Sequence, residues 1–186
     1  MNIFLGITGA SGSIYANQLV EEILKCEELQ SLVLCKSKMG EKVYNHELSM
    51  DLTHEKLEIT EDDNMFHSMA SGTNAPKVAF IVPASANTVS KLNAGIQDTL
   101  ILRVAAIMLK LKKPLIILIR EMPYSGIMLK NMLELNNTGA HIVPASPHFY
   151  HNPQNIDELI SSVTGYLMDI GEIKHEMKVR WNGSNE

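Results

Sequence analysis

Short continuous apolar runs alternate along the chain with stretches in which apolar residues return every three or four positions. Residues 3–7 are apolar almost throughout, so they read as a strand buried on both faces. From about Ser13 the residues Ile14, Leu19, Val20, Ile23 and Leu24 recur at helical spacing. Residues 31–35, 77–82, 115–119 and 141–145 are the further expected strands, the second of these broken by Pro83. Between them the spacing predicts helices over residues 39–47, 85–94, 101–112 and 126–136. The buried face of the third is expected to carry Leu102, Ala105, Ala106 and Leu109, and Gly139 to cap the fourth. A last helix is expected after Asn155, with Ile156, Leu159, Ile160, Val163, Leu167 and Ile170 turned inward. Residues 49–63 are polar and acidic and read as a solvated excursion, while residues 64–73 mix apolar and small polar side chains as a mobile binding loop would. Strand and helix alternate throughout, which predicts an α/β fold with a mainly parallel sheet covered on both faces.

The 186 residues suit one well-buried domain over 1–186. Sixteen basic against 21 acidic residues give a net charge of −5, with no basic excess for a nucleic-acid backbone, so no nucleic-acid partner is expected. No uncharged apolar stretch reaches the roughly 18 residues of a membrane span, and the start of the chain has no signal-like pattern. A cytoplasmic protein without membrane contact is expected. Cys26 and Cys35 are isolated, form no C-x-x-C pair and suit packing in a reducing compartment. The scattered histidines make no metal motif.

The candidate chemistry gathers where strands end. Thr8-Gly9-Ala10-Ser11-Gly12 is a turn between the first strand and the first helix, where free backbone N–H groups and the helix dipole favour an anion. Its glycines fit neither the dinucleotide fingerprint nor a P-loop, which favours a mononucleotide phosphate. Pro83-Ala84-Ser85-Ala86-Asn87-Thr88 is a second such turn, and two in one sheet argue for one shared ligand. Ser37 stands at a third strand end and is either a ligand or a helix cap. Arg120-Glu121 follows a buried strand and is either a structural ion pair or part of a site.

These residues resemble the flavin-dependent Rossmann-like group that contains flavin prenyltransferases (UbiX-like) and cysteine decarboxylases. The likeness rests on Thr8-Gly9-Ala10-Ser11-Gly12, Ser37-Lys38, the turn from Pro83 to Thr88, Arg103 with Ala105-Ala106, and Leu109-Lys110. Arg120-Glu121-x-Pro123, Asn131-Met132-Leu133, Gly139-Ala140, Phe149-Tyr150-His151-x-Pro153 and Arg180-Trp181 continue it in the manner of the prenyltransferases. The resemblance implies a Rossmann-like or flavodoxin-like three-layer sandwich. It implies that Gly9, Ala10, Ser11, Ser37, Ser85, Ala86, Asn87, Thr88 and Arg103 hold reduced FMN, and that Lys110, Arg120, Tyr150, Tyr166 and Trp181 bind dimethylallyl phosphate or shield its allylic cation. Glu47, Glu121 and Ser11 are the implied catalytic residues, with no metal. Prenyl transfer to N5 and C6 of the flavin, in a homo-oligomer such as a dodecamer with sites at subunit junctions, would give prenylated FMN for a separate UbiD-like decarboxylase.

Two positions depart from the pattern. Tyr166 stands where a second basic phosphate ligand is usual, and is expected on the stripe facing the sheet and Tyr150. Met65-Phe66-His67 replaces an expected tryptophan, and His67 is the candidate catalyst of the alternative, an FMN-dependent decarboxylase of a cysteine-derived thiol. A non-catalytic flavin carrier is the third reading.

Overall fold

The computed structural model describes residues 1–48 and 52–177. Strands β1 (Asn2–Ile7), β2 (Ser31–Lys36), β3 (Leu57–Glu61), β4 (Val78–Ala84), β5 (Leu115–Ile119) and β6 (Ala140–Pro144) form one sheet in the order β3-β2-β1-β4-β5-β6. Every pairing among them is parallel. Parallel neighbours need crossovers, and right-handed crossovers on either side of β1 lay helices on both faces. Helices α1 (Ser13–Leu24) and α6 (Ile156–Ile170), with Tyr44 of α2 (Lys38–Glu47), cover Ile3, Leu5 and Ile7 on one face. Helices α3 (Ala86–Asn93), α4 (Leu100–Leu111) and α5 (Gly126–Asn137) cover Phe4, Ile81 and Ile117 on the other. Alternate residues of β1 therefore feed two separate cores, which is why the strand reads as continuously apolar. Each fully buried Leu or Ile contributes about 1.5–3 kcal/mol.

The strand order reverses at β1, whose neighbours are β2 on one side and β4 on the other. A crevice opens there above the carboxyl ends of the strands, where open α/β sheets take their ligands.

Several local expectations are corrected. The segment read as solvated holds β3, paired to β2 from Leu32–Leu57 to Lys36–Glu61. It is an edge strand with Glu58, Ile59 and Glu61 exposed, so it lacks the apolar run that marks the inner strands. Strand β4 does not break at Pro83 but continues to Ala84. Its ladder to β5 shifts register between Ile81 and Ala84, which accommodates a residue without an N–H. As expected, Gly139 lies just past the end of α5 with φ of 106°, after Thr138. On α4, Leu102 and Ala105 are buried as expected, but Ala106 and Leu109 are only partly buried and the inward face is completed by Val104, Ile107 and Met108. On α6, Ile156 is 68% exposed, while Ser162, Thr164 and Gly165 are buried.

The segment read as a mobile loop is two short 3₁₀ turns, Ser68–Ala70 and Gly72–Asn74. His67 caps the first, its Nδ1 accepting from the Met69 N–H at 3.1 Å while its Nε2 meets Glu58 at 3.1 Å. Arg103 of α4 donates from Nε to the Ala70 carbonyl at 3.1 Å. Among the described residues no helix is long and apolar enough to cross a membrane.

Candidate active site

Thr8 ties the two hydroxyl-rich turns together. Its hydroxyl donates to the Pro83 carbonyl at 3.0 Å and accepts from the Ser85 N–H at 2.7 Å, so the ends of β1 and β4 are held in one frame. Beside it lies a cavity of about 900 Å³ lined by Thr8, Gly9, Ser37, Ser85, Asn87 and Thr88, with Lys36, Lys38 and Lys91 around them. Ser37 proves to be both a cap and a wall residue: its hydroxyl accepts from the Gly40 N–H at 3.0 Å at the start of α2. Ser85 does the same for α3, accepting from the Thr88 N–H at 3.2 Å. Two helix starts face this space together with Lys36, Lys38 and Lys91, of which Lys91 is paired with Asp98 at 2.7 Å. Glu41, Glu61, Asp62 and Asp63 line it as well, so the helix starts and hydroxyls rather than net charge favour a phosphate monoester.

Close backbone approach shapes this cradle. A Cβ on Gly9 would stand 2.8 Å from the Met39 Cβ, and one on Gly40 would stand 2.3 Å from the Ile7 carbonyl oxygen. Glycine at both positions lets α2 lie directly against the end of β1.

A second cluster forms at the start of α1. The Glu47 carboxylate accepts from the Gly12 N–H at 3.0 and 3.2 Å and from the Ser13 N–H at 2.8 Å. Burial pushes the Glu47 carboxyl up, but hydrogen bonds led by the Ser11 side chain and the Ser13 N–H outweigh it and leave the group below its ordinary value. Arg120 reaches the same turn, its Nε donating to the Ser11 carbonyl at 2.9 Å. Ser11, Glu47 and Arg120 therefore meet, and Glu121 does not pair with Arg120: it accepts from the Met122 N–H at 3.1 Å. The anion at the α1 start is thus a side chain of the protein, while the cradle at α2 and α3 stays open for a phosphate.

The remaining expected residues fall elsewhere. Ala10 is buried behind the turn, and Ala86 lies exposed on the first turn of α3. Arg103 is half-buried, bound to Ala70 and to Gln97 at 2.7 Å, and Lys110 lies two turns further along α4. Seven residues at 1.5 Å each separate these two by about 10 Å along the helix. Asp62 anchors the start of α4 at the carboxyl edge of the sheet, its carbonyl accepting from Leu100 at 2.7 Å and its carboxylate from Ile101 at 2.9 Å, so Lys110 is directed toward the opposite edge. Tyr150 is 52% exposed on the loop after β6. Tyr166 is 58% exposed on α6 and does not pack on the sheet as expected, because Gly165 and Leu167 take the inward positions. Trp181 and Arg180 lie outside the described residues. Replacing Tyr166 by Arg should accordingly leave the melting temperature within about 2 °C of the parent, since surface changes stay within about 0.5 kcal/mol. Calorimetry showing a larger drop would mean that the ring is covered in the assembled protein.

Sequence reasoning passed over Lys36, Lys91, Thr60 and Asp62. The first stands next to the flagged Ser37, so its position at a strand end was a usable signal. Thr60 and Asp62 belong to the unrecognised edge strand and its exit. Burial raises the Asp62 carboxyl despite bonds from Ile101, Thr99 and Cys35, and burial beside Asp62 keeps the Cys35 thiol protonated. Both serve the anchoring of α4.

The Flavoprotein family model matches residues 1–180. The flavin prenyltransferase UbiX of Methanocaldococcus jannaschii is 40% identical over 97% of this chain and 98% of its own. Among solved structures, AnUbiX (PadA1) in complex with FMN and dimethylallyl pyrophosphate superposes with a TM-score of 0.91 at 28% identity, covering 99% of this chain and 98% of that one. A dodecameric FMN-dependent UbiX-like decarboxylase from Escherichia coli O157:H7 gives 0.92 at 26% identity, covering 98% and 100%. On this likeness along nearly its whole length, the chain belongs to the flavoproteins and, within them, to the flavin prenyltransferase family.

Proposed function

We propose that the protein transfers a dimethylallyl group from dimethylallyl phosphate to N5 and C6 of reduced FMN, releasing phosphate and giving prenylated FMN that a separate UbiD-like decarboxylase uses. The convergence of Ser11, Glu47 and Arg120 at one helix start, next to an open hydroxyl cradle, carries this reading. Reduced FMN supplies the nucleophilic nitrogen and the ring carbon.

The chain's own residues bind, orient and move protons. Ser37, Ser85, Asn87 and Thr88 would hold the flavin's phosphate against the starts of α2 and α3, and Gly9, which lines the same cavity, would let the flavin come close to the backbone. Arg120 points its guanidinium at the substrate phosphate, and such a charge-assisted pair strengthens as negative charge gathers on the leaving group. Glu47, held ionised at neutral pH, is a proton acceptor within reach of Ser11, and Glu121 is a second carboxylate for the same traffic. Trp181 is assigned to shielding the allylic cation by resemblance alone.

Lys110 reaches a neighbouring subunit's site, because α4 directs it away from Arg120 in its own chain, whereas Arg103 stands in the first turn of α4, next to Leu102 in the lining of this chain's own cavity. The dodecameric relative supports an oligomer. The whole chain acts as one flavoprotein domain, in the cytoplasm. The decarboxylase alternative needs a histidine on a loop ahead of β4; His67 stands there, but both its ring nitrogens are engaged and it lies outside the cavity lining, which favours the prenyltransferase reading.

Anaerobic assay of phosphate release tests the reading. Dimethylallyl phosphate should yield one phosphate per reduced FMN consumed and none when FMN is left out. Release independent of flavin would make the protein a phosphatase.

A further inference from the structure

The loop after β6 leaves the sheet beside the site, because the Ala145 N–H donates to the Ile119 carbonyl at 2.8 Å and Arg120 is the next residue. Three rings then pack on one another. His148 lies face to face with Tyr150, centroids 4.2 Å apart and planes 7° from parallel. His151 meets the edge of His148 at 82°, and the two Nδ1 atoms are 3.0 Å apart. A contact between two Nδ1 atoms needs a proton on one and a lone pair on the other, so the two tautomers complement each other and lock both rings. The turn is closed by the Asn152 N–H donating to the Phe149 carbonyl at 2.9 Å, with Asn152 at φ of 53°.

We infer that His148 is a positioning residue for Tyr150, stacking on its ring so that the phenol is held ready for the substrate phosphate. The inference rests on the proposed phosphate-binding role of Tyr150. Stacking over one face restricts the rotamers of a half-exposed loop tyrosine, and a ring ordered beforehand costs less affinity to fix on binding. The stack covers one face of the ring, while the His151 contact keeps His148 from turning away. Burial, reinforced by His151, holds His148 below the usual imidazole range, so at neutral pH the stacked ring is uncharged.

The test uses the oligomer loaded with reduced FMN and measures KM and kcat for dimethylallyl phosphate. His148→Ala should raise KM by about 2- to 10-fold, the range set by immobilising one side chain, with kcat and FMN affinity unchanged. His148→Phe, which keeps a flat ring over Tyr150, should restore most of the loss. Tyr150→Phe should raise KM at least as much, and adding His148→Ala to it should change nothing further. A raised KM in Tyr150→Phe with none in His148→Ala, additive effects in the double variant, or no rescue by Phe would each overturn the inference while leaving the role of Tyr150 standing. An unchanged KM in Tyr150→Phe would overturn both, and a wild type that never prenylates FMN would overturn the functional reading beneath them.

Discussion

Glu47→Gln should slow prenyl transfer by roughly 10²–10⁴-fold, the range for loss of a general acid–base group, while FMN binding persists. The amide oxygen of Gln can still accept from the Gly12 and Ser13 N–H groups, so α1 keeps its start, and the flavin cradle at Ser37 and Ser85 lies outside the change. What disappears is the negative charge at the positive end of the helix and the ability to take a proton. Stopped-flow absorbance of the reduced flavin under single-turnover conditions reads the rate. The pH dependence of stability follows from the lowered carboxyl. A group whose folded value lies below its unfolded one stabilises the fold above the unfolded value, and that contribution fades as pH falls through the folded value. Melting of the parent should therefore fall more steeply on acidification below the ordinary carboxylate range than melting of the Gln variant. A full rate in Glu47→Gln would reduce Glu47 to a cap that ties α2 to α1.

Gly40→Ala should be the most damaging single methyl in the protein's flavin half. The new carbon would lie 2.3 Å from the Ile7 carbonyl oxygen and 2.8 Å from its carbon, both backbone atoms in the middle of the sheet, with the Ser37 hydroxyl at 3.1 Å. Neither strand β1 nor its carbonyl can give way, so α2 must lift, carrying Ser37 out of the cradle and Glu47 off the start of α1. Overpacking typically costs 1–3 kcal/mol, and a clash with fixed backbone belongs at the upper end, about 3 kcal/mol. Chemical denaturation should show that loss, and FMN titration an affinity at least about tenfold weaker. Gly126→Ala is the control, since its Cβ would meet nothing within 4 Å. Helix propensity there makes the change neutral or slightly stabilising. Wild-type stability in Gly40→Ala would mean that α2 sits further from β1 than described.

The inner architecture was legible because β1, β2, β4 and β5 are buried on both faces and so appear as uninterrupted apolar runs. Capping was readable at Asn155 and, as one of two open readings, at Ser37, whereas Ser85, expected as the first residue of its helix, proves to be its cap. Strand β3 escaped because an edge strand with exposed Glu58 and Ile59 has no such run, and with it went Asp62, which looks like one more solvated acid. Roles taken from resemblance fared according to geometry. Ser11, Glu47 and Arg120 sit on neighbouring strand and helix ends and converge, whereas Lys110 depends on where a helix points, and α4 runs away from that cluster. Tyr166 shows the same limit: helical spacing places a residue on a stripe only to within one position, and here Gly165 and Leu167 turn inward instead.

The central claim is that this chain makes a prenylated flavin, and the mass of the flavin itself tests it most directly. Protein incubated anaerobically with reduced FMN and dimethylallyl phosphate, then denatured to release its cofactor, should yield FMN heavier by one isoprene unit, with the Glu47→Gln sample lagging far behind. Unmodified FMN recovered from the wild-type protein after full exposure to both substrates would contradict the account.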